Sequence, residues 1–178
     1  MKENEKGLIH VYFGDNKGKT TAAVGLSVRA AGYGKRVVFA QFLKGRATGE
    51  IAPLEKLGVE IIRTDKNKKF LWEMTQEQRE ECQSIQADLL SEVELLMKDG
   101  AQIDLLVLDE ALNATSRDLL DEERLKEFVK NKPEHMELVL TGRPLPEWLT
   151  ETADYITEMK KHKHPYDQGV NGREAIEY

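Results

Sequence analysis

Residues 8–21 read Leu8-Ile9-His10-Val11-Tyr12-Phe13-Gly14-Asp15-Asn16-Lys17-Gly18-Lys19-Thr20-Thr21. A short β-prone run ends at a glycine. A second glycine then opens a helical stretch that reaches about Ala31 and is closed by Gly32 and Gly34. Strand, tight turn and helix in that order turn backbone N–H groups inward around an anion, and the helix N-terminus adds its partial positive charge. Lys19 is a point charge for phosphate oxygens, and the Thr20 hydroxyl can ligate Mg²⁺. Gly14, Asp15, Asn16, Lys17, Gly18, Lys19, Thr20 and Thr21 are therefore candidate nucleotide-binding residues. The usual phosphate loop has four residues between its first glycine and the Gly-Lys pair, and this one has only Asp15, Asn16 and Lys17. A loop shortened in this way should cup phosphates differently.

Outward from this motif, strands and helices alternate. Strands are expected at 36–42, 59–64, 104–109 and 136–141, with a sixth at 155–159. Helices are expected at 50–57, ending at Gly58, at 119–130 and at 145–151. A long helix should begin at Thr75, with Gln78 as its capping-box partner and Gly100 as its end. Its apolar face is read at Ile85, Leu89, Val93 and Leu96. The alternation predicts one domain over 1–178, a three-layer α/β/α sandwich with a mainly parallel sheet.

Leu105-Leu106-Val107-Leu108 runs apolar into Asp109 and Glu110. In phosphate-loop proteins such a strand lies beside the first strand and presents an acid to Mg²⁺. Glu110 is the candidate direct or water-bridged ligand, with Asp109 orienting Thr20 or a water. Arg143 follows the fifth strand in Thr141-Gly142-Arg143, on the face where ligands bind in such sheets, and could reach phosphate.

Composition narrows the function classes. Net charge is -6 and the pI about 5.4, so nucleic-acid binding is not expected. The basic cluster Lys66 to Lys69 is too short to alter that. One cysteine, Cys82, rules out an internal disulfide, and it reads as a small hydrophobe on a helix face. A charged N-terminus and the lack of a membrane-length apolar run point to a cytoplasmic protein with no membrane partner. His162, His164 and Asp167 sit on a polar tail and read as solvated rather than as a metal site.

Several segments together resemble the phosphate-loop type of ATP:corrinoid adenosyltransferase, from about Gly7 to Tyr178. They are the shortened loop ending in Gly18-Lys19-Thr20-Thr21, Gln-Phe-x-Lys-Gly at Gln41 to Gly45, and Phe70, Trp72 and Glu73. They continue with Leu-Asp-Glu at Leu108 to Glu110 and Thr-Gly-Arg at 141–143. Lys163, His164, Asp167, Gly169, Val170 and Tyr178 complete the set. Asn16 and Ala175 depart from the pattern, standing where glycines are expected, and the N-terminal extension of some members is largely missing. Asn tolerates positive φ, so the loop could survive.

The resemblance implies a P-loop NTPase, RecA-like architecture and a reaction. A Co(I) corrinoid attacks the 5′ carbon of ATP and expels triphosphate, with ATP loaded in reverse along the loop. It implies Mg²⁺ as cofactor, ATP and corrinoid as substrates, a flavoprotein reductant and a homodimer. It places Phe70 and Trp72 against the lower face of the corrin ring, where they displace the lower axial ligand, and the segment from Lys163 onward near the substrate. Two other readings stay open from the residues alone: a phosphate-loop kinase or ATPase, and a nucleotide-binding switch without turnover.

Overall fold

Val37-Val38-Phe39-Ala40-Gln41 is buried at every position, so this strand (β2) has no solvent face and must carry helices on both sides. The computed structural model describes residues 6–66, 74–98 and 102–177. Phe70, Trp72 and Gly100, singled out above, lie outside the described residues, as do Glu73 and Tyr178. The elements run β1 (Ile9–Phe13), α1 (Lys19–Gly32), β2 (Val37–Gln41), α2 (Ile51–Lys56), β3 (Glu60–Arg63), α3 (Gln76–Lys98), β4 (Leu105–Asp109), α4 (Ala111–Thr115), α5 (Glu122–Lys130), β5 (Glu137–Gly142), α6 (Glu147–Thr152) and β6 (Tyr155–Glu158). A single 3₁₀ turn follows at Pro165–Gln168.

The sheet order is β3-β2-β4-β5-β1-β6, and every pairing is parallel. Alternate residues of each strand feed different layers. Val37, Phe39, Leu105, Val107 and Val139 pack with Ala23 of α1 and Leu54 of α2. Val38, Ala40, Leu106, Leu108, Leu138 and Leu140 pack with α3, α4, α5 and α6 through residues such as Leu90, Leu112, Leu125 and Leu149. The result is the three-layer sandwich expected from the alternation.

The order of the strands corrects one expectation. β4 does not lie beside β1. It pairs with β2 and β5, and β5 stands between it and β1. The carboxylates at the end of β4 therefore reach the phosphate loop across β5, with Thr141 of that strand as the bridge.

Two local readings shift as well. The capping box of α3 is present: Gln78 N–H donates to Thr75 Oγ1 at 3.3 Å and Thr75 N–H to Gln78 Oε1 at 3.2 Å. Its most buried face, however, is Cys82, Gln86, Leu89, Leu90 and Val93, while Ile85 and Leu96 flank it. The helix expected from Leu119 starts later. Leu119 and Leu120 are buried in the preceding loop, and the Asp121 carboxylate caps α5 by accepting from Arg124 N–H at 3.0 Å. The short helix α4 has no counterpart in the sequence reading. All five of its residues are buried, so no amphipathic period marks it.

Candidate active site

The site lies at the carboxyl ends of the strands, where ligands bind in open α/β sheets. β1 ends at Phe13 and the chain turns at Gly14. A Cβ on Gly14 would stand 2.7 Å from the carbonyl oxygen of Met159, and its φ is 114°, so only glycine fits this turn. Gly18 (φ 122°) is the N-cap of α1. It offers no side chain, and the first turn holds no acid. The first N–H groups of α1 are thus left without a side-chain cap and available to an anion. Asn16 does not use positive φ. Its N–H donates to the Met159 carbonyl at 3.0 Å, and its side-chain amide to Lys160 O at 3.4 Å. Here the loop is held by β6, without a glycine at position 16.

The charged loop residues each have a partner. Lys19 Nζ donates to the carbonyls of Gly14 and Asn16, both at 2.8 Å. Burial lowers its pKa, against the attraction of Glu110. Asp15 Oδ1 accepts from Arg143 Nη1 at 2.8 Å, which brings Arg143 to the loop. Lys17 Nζ turns toward the C-terminal segment and donates to Ile176 O at 2.7 Å and Glu177 Oε1 at 3.0 Å. Thr21 is exposed on the first turn of α1. Gly142 (φ 139°) carries the chain from β5 to Arg143. A Cβ there would meet Asn113 Oδ1 at 2.5 Å, and that same oxygen accepts Arg143 N–H at 2.8 Å.

Asp109 is the centre of the arrangement. It is fully buried, and each oxygen accepts two hydrogen bonds. Thr20 Oγ1 (2.9 Å) and Thr141 Oγ1 (2.7 Å) donate to Oδ1. Lys44 Nζ (2.9 Å) and Gln41 Nε2 (3.4 Å) donate to Oδ2. A carboxylate has about four lone-pair sites, and all are engaged. Asp109 thereby holds the Thr20 hydroxyl in one orientation. Glu110 differs. It sits in the left-handed region (φ 63°), and its N–H donates to Thr141 Oγ1 at 2.9 Å. Among the described residues nothing hydrogen-bonds its carboxylate. Burial raises its pKa above the usual value, and the charge of Asp109 adds to that.

Lys44, Gln41, Glu50, Thr141 and Asn113 were not named as site residues from the sequence. Lys44 and Gln41 lay in a quoted motif, but a lysine three residues past a buried strand gives no sign of direction. Lys44 Nζ also stands 3.3 Å from Thr20 Oγ1 and 4.0 Å from Glu50 Oε1. Burial disfavours its ammonium, yet the charge and hydrogen bond of Asp109 outweigh this and raise its pKa.

A hard divalent cation fits this donor set. The Thr20 hydroxyl, having donated its proton to Asp109, retains lone pairs, and Glu110 keeps both carboxylate oxygens. Among the described residues no group of three or more His, Cys, Asp or Glu forms a metal cage. On the tail, His164 Nδ1 accepts Tyr166 N–H at 3.1 Å and Asp167 pairs with Lys161 at 2.8 Å, which supports the solvated reading.

A family model described as ATP:corrinoid adenosyltransferase BtuR/CobO/CobP matches residues 5–178. The chain belongs to that family. It is 32% identical over 179 residues to the corrinoid adenosyltransferase of Escherichia coli (strain K12), covering 99% of this chain and 88% of the relative. It is 34% identical over 179 residues to corrinoid adenosyltransferase CobA of Salmonella typhimurium, with the same coverage. It is 31% identical over 176 residues to the corrinoid adenosyltransferase of Pseudomonas aeruginosa, covering 98% and 85%. Membership favours adenosyl transfer from ATP to the cobalt of a corrinoid over the kinase, ATPase and switch readings. Among the described residues no helix is long and apolar enough to cross a membrane.

Proposed function

We propose that the phosphate loop and the Thr20–Asp109–Glu110 end of the sheet hold Mg·ATP while a Co(I) corrinoid attacks its 5′ carbon. A cobalt–carbon bond forms, the carbon–oxygen bond to the triphosphate breaks, and the electron pair leaves with the triphosphate. The observation that carries this reading is the Thr20–Asp109 hydrogen bond at 2.9 Å, beside a Glu110 carboxylate without a hydrogen-bond partner among the described residues. Mg²⁺, when bound, offsets charge on the triphosphate.

The residues divide the remaining tasks. Gly14 to Thr21 wrap the triphosphate with backbone N–H groups, and Lys19 exchanges its two loop carbonyls for phosphate oxygens. Arg143 leaves Asp15 to reach phosphate. Asp109 fixes the Thr20 hydroxyl, and Glu110 takes the metal directly or through water. No residue has to act as a hydrolytic base, because the nucleophile is the Co(I) centre, which supplies its own electron pair, and no water has to be deprotonated.

The corrinoid is assigned to the side of Phe70 and Trp72. In support, a cleft of about 630 Å³ at the carboxyl ends of β2 and β3 is lined by Gly45, Arg46, Ala47, Arg63, Thr64 and Asp65, residues that precede these two aromatics in sequence. The tail from Lys163 borders the phosphate loop, in a second cleft of about 340 Å³ that includes Asn16, Lys17, His164 and Tyr166. One domain over 1–178, a homodimer, a flavoprotein electron donor and a cytoplasmic location complete the reading, the last three by likeness to the family and by composition.

Anaerobic incubation with chemically reduced cob(I)alamin and Mg·ATP tests it. Loss of the Co(I) absorbance, with a light-sensitive alkylcobalamin and triphosphate as products, is the expected result. Release of ADP, or ATP binding with no change in several Co(I) corrinoids, would overturn it.

A further inference from the structure

Lys44 occupies an unusual place for a lysine that no loop motif requires. Its ammonium bridges the two groups that flank the metal position, Asp109 Oδ2 at 2.9 Å and Thr20 Oγ1 at 3.3 Å. The Thr20 hydroxyl gives its proton to Asp109 Oδ1 at 2.9 Å, so it meets Lys44 as an acceptor, through the kind of lone pair a cation would use. An ammonium and a divalent cation on one hydroxyl oxygen would repel strongly at that range. A second anchor is at hand. Glu50 Oε1 lies 4.0 Å from Lys44 Nζ. Gln41, wholly buried, donates its Nε2 to the same Glu50 oxygen at 3.0 Å, and its Oε1 has no partner. Glu50 therefore offers Lys44 a second acceptor, on a carboxylate that Gln41 already holds in place.

We propose that Lys44 is a positioning residue that acts as an internal cation: it holds Thr20 and Asp109 in place, and it leaves Thr20 for Glu50 when the divalent ion of Mg·ATP binds. The proposal rests on the metal reading of Thr20 given above. Lys44 thereby also keeps the nucleotide-free enzyme from collecting free divalent ions at a buried carboxylate.

The test uses Mn²⁺ as the probe, followed by its electron paramagnetic resonance signal during titration of nucleotide-free protein. Wild type and Lys44→Arg should bind Mn²⁺ weakly and alike. Lys44→Met should bind it at least about tenfold more tightly, because the competing charge is gone. Equal affinity in wild type and Lys44→Met would overturn the proposal. Should Lys44→Met fail to fold, the wild-type protein decides the matter. The ¹⁵N-labelled Lys44 ammonium resonance, assigned with Lys44→Arg, should shift on addition of Mg·ATP but not of ATP with chelator. A resonance unmoved by Mg·ATP would overturn the proposal and leave the metal reading intact. ATP binding that is indifferent to Mg²⁺ in calorimetry would overturn both.

Discussion

The Thr20 hydroxyl donates to Asp109 Oδ1 at 2.9 Å and so joins the first turn of α1 to the end of β4, although β5 separates β4 from β1. Thr141 makes the connection possible. It lies on the intervening strand, donates to the same oxygen at 2.7 Å and accepts the Glu110 N–H at 2.9 Å. The phosphate loop and the acidic strand end are thus one hydrogen-bonded unit.

Removing the acid should therefore destabilise the fold as well as the site. Asp109→Ala strips the buried partner from Lys44, and breaking a buried pair of this kind costs about 3–5 kcal/mol. The Lys44 side chain is a quarter exposed, at 26%, which places the expected loss near the lower end of that range. Urea unfolding of the variant measures it. A loss under about 1 kcal/mol, the range of exposed pairs, would show that the network contributes little to stability.

Lys19 offers the opposite case. Among the described residues its ammonium hydrogen-bonds two loop carbonyls, at 2.8 Å each, so Lys19→Ala should leave the melting temperature nearly unchanged. The ATP dissociation constant should rise about 10- to 100-fold, the equivalent of one or two charge-assisted hydrogen bonds. Isothermal calorimetry with Mg·ATP measures this. Unaltered affinity would remove Lys19 from the triphosphate site.

Ala175 adopts φ 64°, a left-handed conformation that glycine tolerates and alanine resists by about 1–2 kcal/mol. Ala175→Gly should relieve that strain, partly offset by the greater freedom of glycine in the open chain. The adjoining Glu177 N–H, which donates to Arg173 O at 2.9 Å, should then exchange with solvent about two- to fivefold more slowly. Faster exchange in the variant would mean that the turn at Ala175 is not strained.

At the far end of the sheet, Glu137 accepts from Leu8 N–H at 2.8 Å and His10 Nε2 at 3.0 Å. Burial pushes its carboxyl up, but these two hydrogen bonds outweigh burial and hold the pKa below the ordinary 4.5. A depressed carboxyl pKa contributes stability that is present above the unfolded value and is lost as pH falls through the folded value. Glu137→Gln should therefore lower stability at neutral pH and flatten the fall of stability below about pH 4.5. Denaturant midpoints of both proteins from pH 3 to 7 test this. Parallel curves would count against it.

For the corrinoid side, Trp72→Ala should slow adenosylation that starts from a Co(II) substrate more than adenosylation of pre-reduced Co(I). The comparison is made by following cobalt absorbance with each starting state. Equal losses would remove Trp72 from the reduction step and return it to packing.

The order of β-run, glycine turn and Gly-Lys-Thr-Thr was enough to place the phosphate loop, because a tight turn into a helix N-terminus is a local matter of glycine, capping and chain direction. The alternation of apolar runs with amphipathic stretches was likewise enough for the layered parallel fold, since burial on two faces leaves a continuous apolar strand. Strand order was decided only in three dimensions. β5 enters between β1 and β4, and nothing in the residues of β4 records its neighbours. The positions of Lys44 and Gln41 were also beyond local reading. Gln41 ends β2 and Lys44 follows three residues later, and they meet Asp109 because Gln41 and Asp109 are partners in the parallel register. A side chain's charge is written in the sequence. Which buried carboxylate it neutralises depends on contacts between distant segments, and those exist only once the sheet has assembled.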